Sequence, residues 1–487
     1  MRLYATLKNT AELLALYRGR DLDGLTRFTV TLLRAIPDRS SGYGQQPAAP
    51  RAEQIQAAAS QLLADVRAVS APSLDWRVAF VDDTDQYAHG VAPDILPDEL
   101  IIAYELPNAE HVRLFLDLVN GHRNAPLDAA GNAFLAAGLD PGGSVADHWC
   151  PGVAKFAMFG HREHARRTIR ASALTSNAFL GQRVNVAIID EGLDKAQIPP
   201  KNWGGGLDHF IDTGLDQPAG AAPRTSHGMM IARSILDLAP DARLYDVPAV
   251  PLNPIPVPVA VSSMQAAYDN LIHVILQRRT LPQWSGPWVL VNAWGIFDTS
   301  TDPSGSYTRN LEPHGHPLIN LVTRAVQVHH LDIVFAAGNC GQFCPSQRCG
   351  DLDRGPGHSI WGANAHPLVI TVGAVRSDET WVGYSSQGPG PETLSIEKPD
   401  LCAPSQFCET YDAASLSSGT SASCAITAGV VAALRSNPVW DQVTVTPEAL
   451  RLALISSARK PLGPVGWDDR MGFGILDAAA TIDTLSV

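Results

Sequence analysis

No run of about 18 apolar residues occurs anywhere in the 487-residue chain, so an ordinary membrane-spanning helix is excluded. Basic residues are scarce: 36 Lys and Arg stand against 49 Asp and Glu, a formal net charge of -13. A surface of that sign does not attract a phosphate backbone, so no nucleic-acid partner is expected. The first residues, MRLYATLKNTAELLALYRGRDLDG, lack the continuous apolar core and small-residue cleavage site of a secretory signal. They read as an amphipathic helix with Leu13, Leu14, Leu16 and Tyr17 on one side, and the expected location is the cytoplasm. Cysteine is sparse and odd in number: Cys150, Cys340, Cys344, Cys349, Cys402, Cys408 and Cys424. No two of them have C-x-x-C spacing, which argues against a zinc site, and an odd count disfavours a fully paired framework. Cys344 with Cys349, or Cys402 with Cys408, could pair locally, but buried reduced thiols are the expectation.

What is present is the composition of a globular protein, 45% hydrophobic and 17% charged, at a length that calls for about two or three domains. The part up to Ser176 differs in texture from the rest. It holds a break rich in Pro, Ser, Gly and Gln, IPDRSSGYGQQPAAPRAE, with helical patterns on both sides, including AEQIQAAASQLLADVRAV. An apolar run, DELIIAYELP, and a helix-like AEHVRLFLDLVNGHR follow, so residues 1–176 read as a mixed α and β accessory region. From GQRVNVAIIDEGLD onward, short apolar runs (VNVAIID, ARLYDV, WVLVNAWG, DIVFAAGN, LVITVGAV) alternate with helical stretches such as SSMQAAYDNLIHVILQ and PLINLVTRAVQVHH. Continuous apolar strands interleaved with helices predict a mainly parallel sheet covered on both faces, with chemistry at the carboxyl ends of the strands.

Several residues sit at such ends. Asp190 closes VAIID, Asn339 closes VFAAGN, and His227 opens the amphipathic SHGMMIARSIL. Ser421 lies in LSSGTSASCAITAGVVAAL, where a small-residue turn runs straight into an apolar helix. Each alone has an ordinary explanation as a turn former, helix cap or packed residue. Together they make a chemical set. A serine is a weak nucleophile until a base takes its proton, and a histidine does that near neutral pH. A buried carboxylate fixes the imidazole tautomer, and an amide side chain with a backbone N–H can hold an oxyanion.

In that order and in these phrases the chain resembles the subtilisin-like serine proteases, the subtilases, over roughly Gln182 to Ala480. LAPDARLYDV, ITVGAV, GYSSQGPG, KPDLCAPS and GFGILDAAA support the likeness. The resemblance implies a three-layer α/β catalytic domain over 177–487 and a serine endopeptidase without a cofactor or catalytic metal. Ser421 would be nucleophile, His227 base, Asp190 orienter and Asn339 oxyanion donor. It also implies that a protein or peptide substrate lies extended between Ala293, Trp294, Gly295 and Ala336, Ala337, Gly338, with Trp294, where leucine is common, making a bulkier pocket wall or, equally ordinarily, filling the core. HGMMIARSILDLAPDA runs through without the insertion that holds calcium in many subtilases.

Some positions depart from the family pattern: Ala425 where proline is usual, Ser423 where alanine is usual, Met229 after the histidine phrase, and Glu191 after the aspartate. Ser423 is shared with the sedolisins, but His227 and Asn339 follow the subtilase pattern. These departures motivate one alternative, a subtilase-like protein acting as a regulatory or binding module. The accessory region would serve a regulatory partner and remain attached instead of being removed as a propeptide. HREHARR is expected to be a solvated helix face, and His314 and His316 are given no role.

Overall fold

The computed structural model describes residues 160–486, apart from 208, 212–214, 251–258, 313, 410–415 and 462–465, together with the backbone of five earlier strands. The helices expected near residues 13–17, 52–69 and 109–123, and the break at 36–53, lie outside the described residues.

The earlier strands are β1 (Arg27–Leu33), β2 (Arg77–Asp82), β3 (Glu99–Glu105), β4 (Ala133–Leu139) and β5 (Gly142–Val145). The first four form an antiparallel sheet in the order β2-β3-β1-β4. In β1 the sequence alternates Phe28, Val30 and Leu32 with Thr29 and Thr31, the period that a half-covered antiparallel strand requires. β3 falls in the apolar run DELIIAYELP.

After helices α1 (Arg162–Thr168) and α2 (Ser172–Ser176), strands and helices alternate. The chain runs through β6 (Asn185–Asp190), β7 (Trp203–Gly206), the pair β8 (His209–Ile211) and β9 (Leu215–Gln217), α3 (His227–Leu238), β10 (Arg243–Pro248), β11 (Val259–Ala260) and α4 (Val261–Arg278). It continues with β12 (Trp288–Asn292), β13 (Trp294–Gly295), α5 (Pro317–Gln327), β14 (Asp332–Ala336), β15 (Ile370–Val375) and β16 (Leu401–Pro404). The pair β17 (Phe407–Cys408) and β18 (Leu416–Ser417) then leads to α6 (Gly419–Arg435), α7 (Pro447–Ser456) and α8 (Ala478–Leu485).

Seven strands make one parallel sheet in the order β16-β15-β14-β12-β6-β10-β7. Strand β6 shows why its central residues, Val186 to Ile189, are all apolar. Val186 and Ile188 join the core packed by α3, α6, α7 and α8, whereas Ala187 and Ile189 join the core packed by α4 and α5. The fold is therefore the three-layer α/β arrangement expected, with helices on both faces of a mainly parallel sheet.

Helix α6 is buried along its whole length. It can run there because it is built almost entirely of Gly, Ala, Ser, Thr and Val, which let neighbours approach. A Cβ placed on Gly429 would stand 3.1 Å from the Leu238 Cβ and 3.3 Å from the Ile235 Cα of α3. Gly429 and Ile235 each lie eight residues beyond Ser421 and His227, so this contact sets the two helix starts side by side. Arg435 in the last turn of α6 faces Asp332 with two contacts of 2.7 Å, and Gln442 reaches the same carboxylate at 2.6 Å. A cation there complements the helix dipole, and its fully buried carboxylate partner satisfies it.

The cysteines depart from expectation. Cys340 and Cys349 are joined by a disulfide, so these are not reduced thiols, and Cys349 does not pair with Cys344. The intervening loop folds back through Ser346 N–H to Asn339 O at 2.8 Å and Cys349 N–H to Ser346 O at 3.0 Å. That puts the two Cα atoms 5.7 Å apart, within bridging range. Cys402 and Cys424 are buried thiols, which removes the Cys402–Cys408 alternative. Among the described residues, no three His, Cys, Asp or Glu side chains assemble as a metal-binding group. Within HREHARR, Arg162 and Arg166 pair with Asp237 of α3, and Arg167 pairs with Glu163. His316 accepts the Leu318 N–H and so caps α5.

Candidate active site

Asp190 is the last residue of β6, at the carboxyl edge of the sheet, and is 1% exposed. Its carbonyl accepts the N–H groups of Ala249 and Val250 at 2.9 and 3.0 Å, which fixes the strand end. Its carboxylate oxygens lie 2.7 and 2.9 Å from Nδ1 of His227. A carboxylate only accepts, so the imidazole proton belongs on Nδ1 and the lone pair on Nε2, as a general base requires.

His227 is placed by the start of α3. The Ser226 hydroxyl donates to Gly192 O at 2.9 Å and accepts the Met229 N–H at 3.3 Å, which makes it the N-cap. Glu191, one of the departures from the family pattern, accepts the backbone N–H of His227 at 3.0 Å. Its negative charge thus sits at the positive end of the helix that carries His227. Behind them, the Asp246 carboxylate accepts the N–H groups of Leu193 and Gly220 at 3.0 and 2.7 Å and pins the loop after Asp190. Gly228 is held tightly: a Cβ there would be 2.5 Å from Gly192 O.

Ser421 lies in the first turn of α6, and its hydroxyl donates to Ala293 O at 3.3 Å. The turn ahead of it uses Gly419 at φ +70°, a conformation costly for other residues. Gly419 N–H donates to the Tyr384 hydroxyl, and its carbonyl accepts from Ser405. Thr420 does the orienting work. Its N–H and hydroxyl both donate to Asn339 Oδ1, at 3.0 and 3.1 Å, while its hydroxyl accepts Gly338 N–H at 3.1 Å. With Oδ1 engaged by two donors, the amide orientation is set, and the NH2 group is the donor end. Ser423, the sedolisin-like feature, donates to Ala403 O at 2.8 Å and so ties α6 to β16.

The segments implied as substrate rails divide by role. Ala336 ends β14, Ala337 N–H donates to Val372 O, and Gly338 at φ +106° turns the chain into Asn339. Asn364 Nδ2 reaches the carbonyls of Trp294 and Ala336, each at 2.8 Å, and so clamps the two segments together. Trp294 is fully buried: its indole N–H donates to Asn292 Oδ1 at 3.1 Å and its ring meets Phe335 edge-on. It packs in the core beneath the segment, the second of the two readings open to it. The backbone of β13 is an edge paired antiparallel with β5, which pairs in turn with β11, making a three-stranded sheet in the order β11-β5-β13. Thr420, Asn364 and the Val259–Ala260 edge were not singled out from the sequence. Only Thr420 carried a signal, through its place in SGTSAS.

The model of the subtilase family matches residues 181–474. Subtilisin amylosacchariticus of Bacillus subtilis subsp. amylosacchariticus and subtilisin J of Geobacillus stearothermophilus are each 27% identical over 289 residues, 57% of this chain and 62% of theirs. The chain thus spans less than two thirds of the length of these relatives. A solved structure of MycP1 from Mycobacterium smegmatis is 21% identical and covers 70% of this chain and 88% of its own, with a TM-score of 0.45.

Proposed function

The chain belongs to the subtilase family, and on that premise we propose that it is a serine endopeptidase working through an acyl-enzyme. The observation that carries the reading is the Asp190 carboxylate on His227 Nδ1, at 2.7 Å, on the sheet edge where Ser421 and Asn339 also lie.

In this mechanism His227 Nε2 takes the Ser421 proton as Oγ bonds to the substrate carbonyl carbon, and Asp190 holds the ring and balances the imidazolium. The oxyanion is met by the Asn339 NH2 group and the Ser421 backbone N–H, near the positive end of α6. The imidazolium passes the proton to the leaving amide nitrogen. Water then attacks the ester with the same base, giving a carboxylate and free serine. No cofactor enters the proposal, and the substrate class is protein or peptide. Ser421→Ala tests it: activity on a verified peptide substrate is expected to fall by about 10⁶, and fluorophosphonate labelling to vanish. Wild-type hydrolysis retained in Ser421→Ala would refute the assignment.

Location is a separate proposal. The Cys340–Cys349 bridge supports an oxidising compartment over the cytoplasm, where such bridges are rare. Thiol counting on protein from its native host tests this: a free pair at both positions favours the cytoplasm.

A further inference from the structure

We propose that Asn364 sets the specificity of the substrate cleft, selecting a short hydroxyl side chain, serine or threonine, on the residue whose carbonyl Ser421 attacks; this rests on the endopeptidase reading above. Strands β12 and β14 run side by side as far as the Asn292–Phe335 pair. Beyond it the main-chain pairing stops, and the two segments implied to flank the substrate leave the sheet as Ala293 to Gly295 and Ala336 to Gly338. The Asn364 side chain bridges them where they part. Its Nδ2 donates to Trp294 O and Ala336 O, each at 2.8 Å. Carbonyls only accept, so this fixes the amide: both of its N–H groups are used, and Oδ1 is the end left over. The residue is 2% exposed, and Oδ1 is buried with no hydrogen-bond partner among the described residues. An acceptor in that state is costly until a donor is brought to it.

The place of the amide also sets the depth of the cleft. Ala293, one residue before Trp294, accepts the Ser421 hydroxyl. The floor therefore stands about one strand residue, roughly 3.3 Å along the segment, from the nucleophile. A carbonyl held between Ser421 and Asn339 sends the side chain of its own residue into this gap. Gly295 adds nothing to it: a Cβ there would meet Asn364 Nδ2 at 3.0 Å and Oδ1 at 3.5 Å, so the carboxamide lies directly against the first segment. A gap closed this near the nucleophile admits a short side chain, and an acceptor at its floor favours one that donates. Serine and threonine meet both demands, alanine only the first, leucine neither.

The turn that carries Asn364, Gly362–Ala365, is held from three sides. Gly362 N–H donates to Thr308 O at 2.9 Å, Ala363 N–H to the Tyr307 hydroxyl at 3.1 Å, and the Thr371 hydroxyl to Asn364 O at 2.6 Å. Ala337 of the second segment packs with Ile360 and Ala365 on either side of the turn. An amide supported in this way does not swing aside for a longer side chain, as a selective floor requires.

Quenched-fluorescent peptides that differ only at the residue before the scissile bond test this on the full chain, with the cut site read by mass spectrometry. Rates are taken per active serine, titrated with a fluorophosphonate, so the amount of folded protein does not enter the ratios. Wild type is expected to show kcat/KM at least tenfold higher for serine and threonine than for alanine or leucine. Asn364→Ala removes the acceptor and deepens the gap. Its serine-to-alanine ratio should fall to about one, and its leucine-to-serine ratio should rise at least tenfold over wild type. Asn364→Ser, which keeps a donor for one carbonyl, is the second variant if the first yields no active serine, and it should shift the leucine-to-serine ratio in the same direction. Equal preference in wild type, or a wild-type preference unchanged in the variant, overturns the role of Asn364 and leaves the endopeptidase reading standing. If wild type neither cuts a peptide nor labels, the endopeptidase reading fails and this inference with it.

Discussion

Gly228 offers a quantitative test of how α3 sets the base. An added Cβ would stand 2.5 Å from the Gly192 carbonyl oxygen, about 0.9 Å inside ordinary van der Waals contact. The obstacle is backbone, so no rotamer change relieves it. The loop holding Gly192 is fixed by Asp246 through Leu193 and Gly220 and by the Ser226 hydroxyl, which leaves the start of α3 to retreat. If the helix takes most of the displacement, the 2.7 Å contact between His227 Nδ1 and Asp190 stretches to the limit of a hydrogen bond. Misplacement on this scale costs about 10² in rate, and overpacking of this kind costs about 1–3 kcal/mol in stability. Gly228→Ala is therefore expected to lower kcat on a peptide substrate by about 10² with little change in KM, and to lower the melting temperature. Gly429→Ala is the milder companion: its Cβ would stand 3.1 Å from the Leu238 Cβ and 3.3 Å from the Ile235 Cα, tight but not overlapping, so smaller losses of kcat and stability are expected than for Gly228→Ala. A Gly228→Ala enzyme with kcat within twofold of wild type would refute the reasoning.

Asn339→Ala is expected to reduce kcat by about 10² to 10³ at nearly constant KM, on a scale set by subtilisin; a raised KM with kcat preserved would make Asn339 a substrate-binding residue instead. Cys349→Ser opens a short covalent loop that begins one residue after Asn339, and denaturant unfolding should show a loss of about 2–3 kcal/mol. An unchanged midpoint, or a wild type indifferent to reductant, contradicts it. Burial pushes the imidazoles of His316 and His366 down to about 3. His366 Nδ1 also accepts the Leu368 N–H at 3.1 Å, so a proton there would face another proton. Between about pH 3 and the ordinary histidine value near 6.5, the unfolded chain binds more protons than the folded one. Stability should be full above that range and fall with acid by about 1.4 kcal/mol per pH unit for each histidine. Unfolding midpoints at pH 7, 6 and 5 test this, and His366→Gln should reduce the slope; an unaltered slope rejects the assignment.

The sequence by itself determined the parallel, doubly covered sheet, because strands buried on both faces must be apolar on both sides, as Val186 to Ile189 of β6 are. It also pointed to strand ends and helix starts as the candidate site, since these are local events written in local phrases around Asp190, His227, Asn339 and Ser421. Other features depended on partners far apart in the chain. Which way the Asn339 amide points is decided by Thr420, 81 residues on. The choice of Cys349 over Cys344 as partner of Cys340 depends on how one loop folds back. Trp294 could have been pocket wall or core filler on sequence alone, and the layer packing sets it in the core against Phe335. That a strand from the accessory region pairs with both β11 and β13 depends on main-chain edges, and main-chain hydrogen bonding is the same for every residue type but proline. No side-chain pattern could announce it; only the assembled layers bring Val259–Ala260 and Trp294–Gly295 to either side of Gly142–Val145.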